Sequence, residues 1–234
     1  MNHNILPFQH IFTKNSPSMQ TNKTNPSSRR HFLGKLATGA AALGTATLVT
    51  PFQAAAADLS DNEYADSDEW FKKNITGKHR ICFDATQPHG VYPFAWPLVY
   101  QLTNAATGTP EKDSSIVVVL RHDAIPYALQ DNLWAKYKLG ELFKAEDPLT
   151  KAPATRNPFW KPKTGDFKVP GIGNVPIGIN ELQEKGVLFC VCNMAITVYS
   201  AVAADMMKLD AATVKQEWVN GVLPNIQVVP SGVW

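Results

Sequence analysis

Three cysteines and three histidines lie beyond residue 57 of this 234-residue chain, and they are the side chains best suited to nucleophilic or acid–base chemistry. Cys192 stands out among them. The apolar run Val187-Leu-Phe-Cys-Val-Cys192 gives way there to Asn193 and a stretch rich in Ala and Met. Read as a strand passing into a helix, this places Cys192 at a helix N-terminus, where free amides favour a thiolate and lower its pKa. A thiolate so placed can attack a sulfane sulfur and hold it as a persulfide, or form a mixed disulfide. The competing reading is a small buried residue that closes a strand. Cys190, two residues earlier, points to the same side of a strand and reads as packing. Cys82 lies within another apolar run and reads as a buried thiol, or as a partner for Cys190 if their strands are neighbours. A Cys190–Cys192 disulfide would be strained, because i,i+2 Cα atoms of an extended strand stand roughly 7 Å apart.

In open parallel sheets, ligands bind beyond the carboxyl ends of the strands. That rule gathers Asp84 and His89, then Arg121-His122-Asp123, then Cys192-Asn193, then Ser231 onto one rim. The candidate catalytic set is Cys192 as sulfur acceptor with His122 and Asn193. The candidate binding set is Asp84, His89, Arg121, Asp123 and Ser231. Arg121 or His122 near Cys192 would further favour its thiolate. Asp84 and Asp123 either orient a histidine or cap the helix that follows. Cys192, His122 and His89 are suitable ligand types for copper or zinc, although their spacing matches no compact motif. Phe94, Trp96 and Tyr100 read as core and groove residues. No P-loop, nucleophile elbow or C-x-x-C-H haem motif is present, and Gly171-Ile172-Gly173 lacks the third glycine of a dinucleotide fingerprint. No cofactor is expected.

The elements that must position these residues follow from periodicity. Strands are predicted at His79–Asp84, Ser115–Leu120, Val187–Cys192 and Asn225–Val229. Helices are predicted at Pro93–Ala106, Ile125–Phe143, Asn180–Lys185 and Asn193–Lys208, with Pro93 and Pro97 suited only to a first turn. The run Ser-Ile-Val-Val-Val-Leu has the continuous β-branched character of a strand buried on both faces. This alternation predicts a doubly wound, mostly parallel α/β sheet in a single domain. Residues 141–180 interrupt it with six prolines and four glycines. They are expected to form an insert, with a small strand or hairpin near Val169–Ile179, that covers the carboxyl-end rim or an oligomer face.

Residues 1–57 carry Lys14, Lys23, Arg29, Arg30 and Lys35 and no acidic residue, so the remainder holds 17 basic against 20 acidic residues. The basic sequence pI of about 8.4 therefore derives from the leader, and the rest is not a basic nucleic-acid binder. Ser28-Arg-Arg-His-Phe-Leu-Gly-Lys35 fits the twin-arginine signal pattern. A weakly apolar stretch, Leu36–Thr50, follows it, and then an A-x-A type cleavage site ending at Ala57. The apolar stretch is too short and too rich in Gly and Thr for a stable membrane span. The expectation is a protein exported folded by the twin-arginine machinery to a periplasmic or external location, with the true start at Met1 or Met19. Residues 58–78 read as an acidic, mobile N-terminal arm ending in a short helix around Trp70-Phe71. With arm and insert set aside, a core of about 115 residues remains, small enough to favour self-association.

Val187-Leu-Phe-Cys-Val-Cys192-Asn193-Met-Ala, followed by a helix and then Val228-Val-Pro-Ser-Gly-Val233, resembles the DsrE/DsrF-like family. The resemblance spans roughly 79–233 apart from the insert. It implies a flavodoxin-like sheet, a homo-oligomer such as a trimer or hexamer, and a cysteine at the position of Cys192 that accepts sulfur from a donor protein and passes it to an acceptor. The family pattern continues with a helix and strand after V-P-x-G-V, so the chain is expected to lack that last helix. Two other classes remain open: a non-catalytic binding or assembly module on the same fold, and a Cys/His metal-binding protein.

Overall fold

A computed structural model of the protein describes residues 65–169 and 171–234; the expected leader and the first part of the arm (58–64) lie outside the described residues. The chain runs α1 (Ala65–Asn74), β1 (His79–Ala85), α2 (Tyr92–Ala106), β2 (Ser114–Leu120), α3 (Asp131–Tyr137), α4 (Leu139–Leu142), β3 (Lys168–Val169), β4 (Gly173–Asn174), α5 (Ile179–Glu184), β5 (Val187–Cys192), α6 (Asn193–Met207), α7 (Ala211–Asn220) and β6 (Ile226–Val229). Four of these strands form an all-parallel sheet in the order β1-β2-β5-β6, while β3 and β4 make a small antiparallel hairpin. The apolar run of β2 is central, and all but its first residue are buried. This is the behaviour expected of a β-branched strand covered on both faces.

The two faces are covered unequally. Ile116, Val118, Leu120, Phe189, Val191 and Ile226 enter the main core with side chains from all three crossovers, among them Phe94 of α2, Leu182 of α5 and Trp218 of α7. Val117, Val119, Cys190 and Val229 point the other way, onto Phe71 and Ile75 at the end of α1. The strand order follows the chain without a reversal. The crossovers therefore stack on one face, whereas a doubly wound sheet divides them between two. The α/β layering matches the alternation, but its second helical layer comes from α1, in the segment expected to be a mobile arm. Ser67 on α1 is fully buried, and its hydroxyl donates to the Val228 carbonyl at 3.4 Å.

Three other local readings differ from the structure. The helix expected over Ile125–Phe143 is split into a 3-10 segment, His122–Ala128, followed by α3 and α4. Pro126 lies inside the 3-10 segment and Lys138 adopts a left-handed φ of 50° between the two helices, so a continuous α-helix is broken twice. Pro97 sits inside α2, beyond the first turn, with its ring buried. Helix α7 was not evident from the apolar pattern, yet it carries a readable start signal: Asp210 caps it by accepting the Thr213 amide at 2.8 Å.

The 141–180 segment contributes to the core. Ala145, Ala154, Phe159, Phe167 and Ile177 are all buried in the main cluster. Phe159 lies 4.2 Å from Phe94 and 5.3 Å from Tyr127 between ring centroids, and stacks on Phe167 at 5.1 Å. The amide of Asn157, itself fully buried, donates to the Tyr127 and Leu129 carbonyls, while its oxygen accepts from Phe159 N–H. A chain rich in Pro and Gly has thus been fixed by one aromatic anchor and one amide.

Candidate thiol site at the carboxyl-end rim

Cys192 ends β5 and caps α6 with its own side chain. Its Sγ accepts the Ala195 N–H at 3.2 Å, and only 6% of the residue is exposed. The donated amide fixes the sulfur at the start of α6. Asn193 opens α6 and is buried beside it. On the neighbouring strand, Arg121 follows β2. Its Nε and Nη2 donate to the two carboxylate oxygens of Asp84, each at 2.6 Å. That fork, with Cys192 as a lesser contributor, holds the guanidinium above its ordinary pKa, so Arg121 lies within electrostatic reach of the thiol.

His122 adopts a left-handed φ of 50°, a conformation that costs a non-glycine residue about 1–3 kcal/mol. Its Nδ1 is 3.2 Å from Asp123 Oδ1, and Nε2 is 3.5 Å from the Tyr199 hydroxyl. Tyr199, on α6, donates its hydroxyl to the same Asp123 oxygen. Burial, and next the bond to Asp123, push Tyr199 up to about 12, so it remains a donor across the neutral range. Asp123 therefore orients a histidine, and neither it nor Asp84 caps the next helix, since the 3-10 segment and α2 both start without a side-chain cap.

Three strand ends thus bring together Asp84, Arg121, His122, Asp123, Cys192 and Asn193. Ser231 lies just past β6, and its carbonyl accepts the Trp234 amide at 3.2 Å. His89 belongs elsewhere: it is exposed, with its ring 5.1 Å from Tyr92, which stacks in turn on Trp96. Trp96 is half exposed and not a core residue, whereas Phe94 is fully buried. Among the described residues no three His, Cys, Asp or Glu side chains gather as a metal site, so the ligand set Cys192–His122–His89 does not assemble. Tyr199 escaped sequence reading because its link to Asp123 exists only once β2 and β5 are adjacent.

All three cysteines are free thiols. Strand β2 separates Cys82 from Cys190, which removes the disulfide considered for them. Cys82 is an exposed residue, although partial desolvation of its sulfur, and next the nearby Asp84 charge, raise its pKa. Burial pushes Cys190 up to about 12. At pH 8 a thiol of that pKa is ionised in about one molecule in ten thousand. Alkylation followed by peptide mass spectrometry should therefore label Cys82 readily, at a rate that climbs with pH. Cys190 should be labelled only after unfolding. Early labelling of Cys190 in folded protein would contradict the packing described.

Comparison of the chain with models of known families, with curated proteins and with solved structures gives no match.

Proposed function

We propose that this is an exported, DsrE-like sulfur-trafficking or thiol-redox protein in which Cys192 is the sulfur acceptor. One observation carries the reading: the Cys192 thiol is placed where a parallel strand becomes a helix and receives the Ala195 amide at 3.2 Å. In the transfer step, the Cys192 thiolate attacks the outer sulfur of a donor persulfide. The donor S–S bond breaks, the donor leaves as its thiolate, and Cys192 holds the sulfur as a persulfide, with no external oxidant or reductant. Arg121, fixed by Asp84, favours the anionic forms of Cys192. His122, oriented by Asp123, supplies a proton to the leaving thiolate. The twin-arginine pattern at 28–35 supports delivery of the folded protein to the periplasm or exterior. A trimer or hexamer fits the exposed apolar side chains Tyr92, Trp96, Val99 and Leu102 on α2 and Val198, Val202 and Met206 on α6.

Treatment with inorganic polysulfide tests the reading. Wild-type protein is expected to gain the mass of one sulfur atom on the Cys192 peptide, and Cys192→Ser to lose that adduct while Cys82 behaves alike in both. A binding or assembly module is the second reading, favoured by the burial of Cys192. It predicts no adduct in either protein.

A further inference from the structure

Residues 230–234 follow a path that bears directly on the acceptor thiol. Val229 pairs with Cys192 in register, and the Pro230 carbonyl then accepts the Met194 amide at 3.3 Å, just past the thiol. Two residues on, Gly232 lies against the side chain of Arg121, which follows β2: a Cβ at position 232 would stand 2.6 Å from both Cβ and Cδ of Arg121. Strand β5 lies between β6 and β2. A segment that leaves the end of β6 and reaches a residue beyond β2 must cross the end of β5, where Cys192 sits. Trp234 then anchors the segment on the opposite side, its ring centroid 6.0 Å from that of Phe71 on α1. The backbone approach at Gly232 leaves no room for a side chain, so the crossing is close.

We propose that Pro230–Trp234 is a hinged strap that shuts Cys192 from solvent and must swing aside before a sulfur donor reaches the thiol. This rests on the acceptor reading of Cys192 and adds its regulation. With the segment in this position Cys192 is only 6% exposed, packed against the main core from within, so the crossing bears on its remaining outer side. The Trp234–Phe71 contact holds the strap shut, and the Gly232–Arg121 contact seats it over β5. A docked donor that displaces Trp234 would couple its own arrival to exposure of the thiol.

The test compares wild type, Trp234→Ala and Gly232→Ala in the full folded chain. Iodoacetamide alkylation is followed peptide by peptide, with Cys82 as the internal reference. The first variant removes the anchor; the second drives a methyl group into Arg121. Both are expected to raise the Cys192 alkylation rate about tenfold while leaving Cys82 unchanged. Equal Cys192 rates in all three proteins would overturn the strap. A parallel rise at Cys190 would also overturn it, because that outcome reports general unfolding. Polysulfide treatment of the same samples separates the two ideas. Faster alkylation without a sulfur adduct would leave the strap standing and refute the acceptor role. An adduct with equal alkylation rates would do the reverse.

Discussion

Asn157→Ala is expected to lower folding stability by about 3 kcal/mol, read as a shift in the urea midpoint at unchanged slope. The side chain is fully buried and makes three hydrogen bonds, two as donor to the Tyr127 and Leu129 carbonyls and one as acceptor from Phe159 N–H. Truncation leaves these backbone groups buried without partners, and each such group costs about 1–3 kcal/mol before relaxation or water entry offsets it. The effect should extend beyond one loop. Asn157 ties the 141–180 segment to the 3-10 stretch behind β2, and Gly140 meets the same segment so closely that a Cβ there would stand 2.2 Å from the Ala154 carbonyl oxygen. Increased proteolysis within 141–180 should accompany the loss of stability. A change below about 0.5 kcal/mol would mean that the segment does not depend on this amide.

Phe94→Ala is the second large effect, expected at about 3–5 kcal/mol. Phe94 is fully buried and contacts Phe159 at 4.2 Å, Tyr127 at 5.4 Å and Phe189 at 6.4 Å between centroids. It is the point where α2, the 3-10 stretch, the 141–180 segment and β5 meet, so no single neighbour can collapse into the vacated space without leaving another contact. Phe94→Leu should recover a large part of the loss because it restores most of the apolar volume. The readout is again the denaturation midpoint, with the tryptophan fluorescence of the native state as a check on packing. Equal stability of Phe94→Ala and wild type would show that the segment and α2 do not share one core.

Much of this architecture is legible in the residues. The strands of the parallel sheet announce themselves as β-branched or apolar runs, and β5 spans the Val187–Cys192 run read from sequence. The helix after Cys192 follows from its Ala-rich composition. What the residues do not announce is which strands are neighbours and which face each crossover takes. Strand order follows the chain, so all crossovers share a face, and α1 must cover the other; neither fact is encoded in any single stretch. The 141–180 segment misleads because Pro and Gly density reports backbone geometry, whereas its burial is decided by a few side chains, Phe159 and Asn157 above all. At the rim, listing strand ends suffices to find Asp84, Arg121, His122, Asp123 and Cys192. It cannot pair Arg121 with Asp84, bring Tyr199 to Asp123 or place Gly232 against Arg121, since those contacts span 37, 76 and more than 100 residues of sequence. His89 is the residue for which the same rule failed, because the loop after β1 carries it outward to Tyr92.

The most direct test of the central claim is the mass of the Cys192 peptide after the folded protein meets inorganic polysulfide and excess reagent is removed. The account predicts one added sulfur atom on Cys192, released by a thiol reductant and absent from Cys192→Ser. A Cys192 peptide of unchanged mass, in protein whose Cys192 is shown by alkylation to be reachable, would contradict it.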